Sequence, residues 1–274
     1  MAEWFENFFD GIYAKVLPKV FTEEQTLHHV RIVKRLLRLR KNHAVLDIPC
    51  GMGRLTIPLA KMGIQMTGVD LTAPYIRRAR RDAKKEGLDV RPRAEASGGG
   101  ARFVQSDMRD IDFDSEFHAA FNWFGSFGYF SDADSIEFCK RIFRALRPGG
   151  KFLAETMNKS CLLANFRPKG EDFVAGVKIT HRCRFDHKNS FIVDHWTFSK
   201  GRKSERCTSK VRAFTAPELR AVLRAAGFRD IKLFGVHAFS QIRPSRRPPL
   251  GKLTRHHRRI IAIARKPKEK GERR

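Results

Sequence analysis

Three carboxylates each close a short apolar run in the first half of the chain. Asp47 ends Val45-Leu46-Asp47, Asp70 follows Ile64, Met66, Gly68 and Val69, and Asp107 ends Phe103-Val104-Gln105-Ser106-Asp107. Gly51 and Gly53 come directly after the first acid, in Asp47-Ile48-Pro49-Cys50-Gly51-Met52-Gly53. Glycines there let the backbone approach a ligand where a side chain would clash. The amphipathic run beyond them (Leu55, Ile57, Leu59, Ala60) predicts a helix whose first amides can face a polar or anionic group. A carboxylate at the end of the second run can accept hydrogen bonds from both hydroxyls of a ribose. Glycine loop, acid and acid, in that order, describe a nucleoside pocket along one edge of a sheet. A dinucleotide fingerprint would need a third glycine where Thr56 stands.

From about Val45 to Arg265, the order and spacing of these residues resemble the class I S-adenosylmethionine-dependent methyltransferases. That family's Asp-x-x-x-Gly-x-Gly motif matches Asp47, Gly51 and Gly53. The resemblance implies S-adenosylmethionine as cofactor, released as S-adenosylhomocysteine. It implies that Asp47 orients the loop and the cofactor's amino group, that Asp70 holds the ribose, and that Asp107 holds the adenine amino group with the Met108 backbone beside the ring. Asn122 would offer its backbone carbonyl to the cofactor amine. Cys50, Arg54, Leu71 and Trp123 stand beside these positions and complete the expected cofactor set. The segment Asn122-Trp123-Phe124-Gly125-Ser126-Phe127-Gly128-Tyr129 resembles a subgroup of small-molecule N- and O-methyltransferases, sugar-modifying ones included. An aromatic, desolvated wall suits an electron-poor methyl on a sulfonium. Trp123, Ser126 and Tyr129 are therefore expected in the pocket, and Phe124, Phe127 and Phe130 in the core.

The elements that must position these residues alternate between strand and helix, which predicts an α/β fold. The resemblance implies that it takes the form of a Rossmann-like seven-stranded methyltransferase sheet with helices on both faces and the last strand antiparallel. Strands are expected at 44–49, 64–70, 102–106, 117–123, 151–156, 228–236 and 259–265, and the resemblance implies that the last is inserted between the fifth and sixth. Helices are expected at 54–62, 73–86, 132–146 and 215–226, with Thr215 and Glu218 forming a capping box. Arg147-Pro148-Gly149-Gly150 reads as a turn, and Gly87–Gly100 as a flexible surface insertion. Between 171 and 213 the alternation changes to period two in three runs, so an antiparallel β-lobe is expected over the acceptor site.

The resulting division is a helical lid over 1–41, the cofactor-binding domain over 42–170 and 214–265, the lobe over 171–213, and a basic disordered tail over 266–274. In the lid, Trp4, Phe5, Phe8, Phe9 and Tyr13 recur at helical spacing as one aromatic stripe. A hydroxyl acceptor needs a base. Tyr13, Tyr129 and His195 are the candidate catalytic residues, with Glu155 and His181 behind them.

Composition narrows the class of protein. With 42% apolar residues in 274, a full core is available, and no apolar run reaches the ~20 residues of a membrane span. The acidic-aromatic start lacks the features of a signal peptide. Five cysteines are scattered without paired metal spacing, which suggests reduced thiols, no metal site and a cytoplasmic location. Lys and Arg number 55 against 29 Asp and Glu, a formal charge of +26. That charge suits polyanionic partners, or is merely solvated. The leading reading is methyl transfer to an O or N atom of a small, anionic molecule. The alternatives are an RNA methyltransferase that uses the basic region 243–274, and a methyltransferase-like binding protein without catalysis. Against the RNA reading, no appended RNA-binding domain is visible, and no Asn-Pro-Pro-Tyr-like segment follows the fourth strand.

Overall fold

In the computed structural model, which describes residues 3–90, 100–237 and 250–268, the central sheet carries nine strands. They are β1 (Ala44–Asp47), β2 (Gln65–Asp70), β3 (Asp89–Val90), β4 (Gly100–Gln105), β5 (Phe117–Asn122), β6 (Leu146–Met157), β11 (Arg229–Val236), β12 (Gly251–Lys252) and β13 (Arg259–Arg265). Their order is β12-β11-β13-β6-β5-β1-β2-β4-β3. The seven expected strands are all present, and β13 runs antiparallel between β6 and β11. Two short edge strands were not foreseen. One of them, β3, pairs with β4 inside the stretch expected to be a structureless insertion. The rest of that insertion, 91–99, lies outside the described residues, as do 238–249 of the basic connection and the last six residues of the tail.

The central strands form because they are predominantly apolar and are buried on both faces. Val45, Leu46, Val69 and Phe121 are fully buried. On one face pack α6 (Asp132–Ala145) and α8 (Ala216–Ala225), through Phe138, Cys139, Ile142, Leu219 and Leu223. On the other pack α3 (Glu23–Leu37), α4 (Thr56–Lys61) and α5 (Ala73–Lys85), through Val30, Ile32, Leu59, Ile76 and Ala79. Capping boxes start α3 at Thr22 with Gln25 and α8 at Thr215 with Glu218. Arg147-Pro-Gly-Gly is a bulge inside β6 rather than a turn before it. Phe117 faces Leu146 while Ala119 already faces Lys151. Lys266, expected to begin the loose tail, exchanges backbone hydrogen bonds with Gly149 and Gly150.

A second, four-stranded antiparallel sheet stands apart, ordered β10-β9-β8-β7. It comprises β7 (Lys169–Val174), β8 (Val177–Asp186), β9 (Phe191–Lys200) and β10 (Lys203–Arg212). Three strands were expected; β7 escaped notice because Lys169-Gly-Glu-Asp is an exposed edge without an apolar alternation. The aromatic stripe of the N-terminus is also not one helix. Asp10 caps a second one, so the stripe divides between α1 (Trp4–Phe8) and α2 (Gly11–Val16). Phe8, Ile12 and Val16 pack on Val177, Ile179 and Phe198 of the lobe. Burial of each such side chain stabilises by about 1.5–3 kcal/mol. The Ile12 amide donates to the Glu205 carboxylate at 2.6 Å, a charged hydrogen bond that fixes α2 against β10.

Candidate active site

The ends of β1, β2 and β5 open into a pocket of about 920 Å³ that continues without a partition to the inner face of the lobe. Asp47, Cys50, Gly51, Gly53, Arg54, Asp70, Leu71, Asp107, Met108 and Trp123 all border it. Asn122 does not. It is fully buried behind the wall, with its Oδ1 unpartnered and its amide directed at the Met108 sulfur.

The loop after β1 is held from below. Asp70 accepts from the Gly51 amide and from the Thr72 amide, both at 2.8 Å. Gly51 has φ +56°, and a Cβ added to it would meet no atom within 4 Å, so a side chain there would stand in the pocket itself. Asp47 receives the Thr56 hydroxyl at 2.6 Å, the reason a threonine serves where a third glycine would in a dinucleotide loop. Burial raises Asp47 from 3.8 to about 7, against the pull of Thr56 and Arg54. Burial likewise raises Asp70, opposed by its two amide donors. Arg54 lies over the Phe21 ring and beside His29 Nδ1, and burial lowers it to about 10. Asp107 is clasped by Arg109, whose Nη2 lies 2.7 Å from it.

All three tyrosines of the chain meet in this pocket. Tyr13 and Tyr129 were expected there; Tyr75, from the first turn of α5, was not. Burial raises the pKa of each phenol. They stay protonated at neutral pH, so each phenol keeps an O–H to donate. The Tyr75 hydroxyl and the Trp4 indole N–H are both buried at the pocket wall without a hydrogen-bond partner among the described residues.

His195 is misplaced as a catalytic candidate. On β9 side chains alternate, and Ile192, Asp194 and Trp196 face the pocket while His195 is exposed on the outer face, beside the Thr208 hydroxyl at 3.0 Å. His181 is engaged with Asp194 at 2.8 Å and stacks on Trp196, with ring centroids 4.7 Å apart. Glu155 is fully buried and bound through both oxygens by Arg259. Arg259, which borders the pocket beside Gly125, went unnoticed in the sequence because its partner is far away along the chain. Phe124 also departs from expectation. It has φ +72° and is 38% exposed against Phe21, whereas Phe127 and Phe130 are core.

Residues 45–150 match the family model described as a methyltransferase domain. The 23S rRNA (uracil(1939)-C(5))-methyltransferase of Nitrosospira multiformis is 30% identical over 35% of this chain and 20% of its own. A ubiquinone biosynthesis O-methyltransferase of Parvibaculum lavamentivorans is 28% identical over 57% of this chain and 56% of its own. The chain thus spans a fifth to just over half of the length of these relatives. Among solved structures, an S-adenosylmethionine-dependent methyltransferase of Clostridium acetobutylicum superposes with a TM-score of 0.70 at 17% identity, over 95% of this chain and 98% of that one. A SAM-bound amino pentose methyltransferase of Micromonospora echinaspora gives 0.62 at 17% identity, over 95% and 98%. These two likenesses establish the fold.

Proposed function

We propose that the chain is a class I S-adenosylmethionine-dependent methyltransferase that transfers the cofactor's methyl group to an O or N atom of a small molecule, a reading supported by the matched methyltransferase domain and the fold. The observation that carries this reading is the undivided pocket, with carboxylates and a glycine loop at the strand ends and an aromatic wall from the lobe and the N-terminal helices. At about 920 Å³ the pocket has the size of a small-molecule site, with room for the cofactor and a small acceptor side by side. The amino pentose and ubiquinone methyltransferases, which resemble the chain in fold and in sequence respectively, act on small molecules by their names.

The residues at the strand ends fit S-adenosylmethionine. Gly51 leaves room for it, Asp70 retains lone pairs for ribose hydroxyls beyond its two amide bonds, and Asp107 faces the pocket for the adenine amino group. Bound there, the cofactor supplies an electrophilic sulfonium methyl. Asp47 holds the Thr56 end of the loop, and its second oxygen is available to the cofactor's ammonium. Tyr13, Tyr75 and Tyr129 orient polar groups of the two ligands and exclude water. Arg259, neutralised by Glu155, gives the acceptor side a fixed donor set.

Calorimetric titration with S-adenosylhomocysteine, repeated with a short RNA at two salt concentrations, tests the reading. We expect micromolar cofactor binding and no salt-sensitive RNA binding. Salt-sensitive RNA binding coupled to the cofactor would replace the small-molecule reading with RNA methylation. Absence of cofactor binding would leave the fold without this activity.

A further inference from the structure

Three side chains of metal-ligating type meet on the inner face of the lobe. Cys183 and Asp194 are direct cross-strand partners on β8 and β9, and His181 lies two residues before Cys183 on the same face. Their ligating atoms all lie within 4.8 Å of one another. His181 Nδ1 and Asp194 Oδ1 are already 2.8 Å apart. The donors of a tetrahedral zinc site are on the order of 3.5 Å apart, so small side-chain rotations would bring the three to bonding distance. Cys183 is buried, and the Asp194 and His181 side chains are 11% and 24% exposed.

The surroundings hold the cluster in place. Trp196 stacks on the His181 ring at an interplanar angle of 18°. The Trp196 indole N–H donates to Ser209 at 2.8 Å, so the stacking face is itself anchored. Gly170 on β7 lies against His181 Nε2, where a Cβ would leave the ring no room. Only the absence of a side chain at 170 lets Nδ1 turn toward Asp194. The Cys183 thiol donates to the Arg167 carbonyl at 3.1 Å.

We propose that His181, Cys183 and Asp194 form a binding site for a zinc-type divalent cation. The donor set of one imidazole nitrogen, one thiolate and one carboxylate suits zinc, and its two negative charges match those of the ion. On binding, the Cys183 thiol gives its proton to solvent, and His181 carries its remaining proton on Nε2. Because Asp194 also borders the pocket, the ion would fix the carboxylate that the acceptor side presents. The site does not depend on the methyltransferase reading and is tested without it.

The experiment is titration of the full, untagged chain, first stripped with a chelator, with Zn²⁺ by calorimetry and with Co²⁺ by absorbance. One equivalent per chain is expected, together with a thiolate-to-cobalt charge-transfer band. Cys183→Ser should abolish the band. His181→Gln and Asp194→Asn should weaken zinc by more than the ~10–100-fold that loss of an outer-shell partner costs. Cys207→Ser should change neither readout. Far-ultraviolet circular dichroism checks that each variant folds; if Cys183→Ser does not, Asp194→Asn decides. No stoichiometric zinc, or a band that survives Cys183→Ser, would overturn the site and leave a histidine–aspartate ion pair beside an inert thiol.

Discussion

Gly51→Ala separates what the loop does for the fold from what it does for the ligand. At Gly51 an added Cβ meets no atom within 4 Å, so the substitution creates no internal clash. The remaining structural cost is that of an alanine at φ +56°, about 1–2 kcal/mol, or a fall in Tm of about 2–8 °C for a domain of this size. The new methyl group, however, occupies the space between the loop and any bound ligand. We expect S-adenosylhomocysteine affinity to fall by more than about tenfold, which is about 1.4 kcal/mol. Gly68→Ala is the converse perturbation. Its Cβ would lie 2.8 Å from the Cys50 sulfur and 3.1 Å from the Phe103 ring, behind the loop. Overpacking there should cost about 1–3 kcal/mol of stability before it alters binding. Denaturant unfolding and calorimetry on the two variants give four numbers. A Gly51→Ala chain that binds S-adenosylhomocysteine as tightly as the parent would refute the placement of the ligand in front of this loop.

Other variants probe the buried charges. Burial raises Asp47 from 3.8 to about 7, so the folded chain keeps a proton there that the unfolded chain releases. That contribution to stability is full below pH 3.8 and is lost as pH rises through about 7, with a slope of up to about 1.4 kcal/mol per pH unit. Asp47→Asn should remove this part of the slope between about pH 4 and 7, seen by urea unfolding of parent and variant; parallel curves would contradict it. Arg259→Ala leaves the fully buried Glu155 without its ion partner and should cost about 3–5 kcal/mol. Part of that loss should return on adding Glu155→Gln. His195→Ala, on the exposed face of the lobe, should change stability by less than about 0.5 kcal/mol and leave cofactor affinity unaltered.

The placement of the strand-end carboxylates was legible because it is local. Each of Asp47, Asp70 and Asp107 follows an apolar run, so its place at a strand end follows from its neighbours alone. The acceptor side is not local. Arg259 reaches Glu155 across a separation of 104 residues, and no pattern near either one announces the pair. On β9 the alternation itself was visible, but a face had to be chosen. Asp194 and Trp196 face the pocket and His195 does not, a matter of register set by pairing with β8 and β10. The cysteines were read along the chain, where their spacing is uninformative; Cys183 acquires neighbours only when β8 and β9 pair. Tyr75 sits in a basic helix whose outer face drew attention away from its buried one.

The two walls of the chamber come from different parts of the chain. Strand ends of the large sheet form one; the opposite wall is assembled from the first helices and from the separate sheet spanning 169–212. A change in β9 or β10 can therefore reshape one wall while the carboxylates across from it stay fixed by their own strands. The glycine loop and its acids are held by one sheet, and the facing side chains of the lobe by another. Ile192, Asp194, Ser209 and Val211, four neighbouring positions of a single hairpin, belong to that second wall. Substitutions confined to them would leave the hydrogen bonds that Asp47 and Asp70 make at the other wall in place.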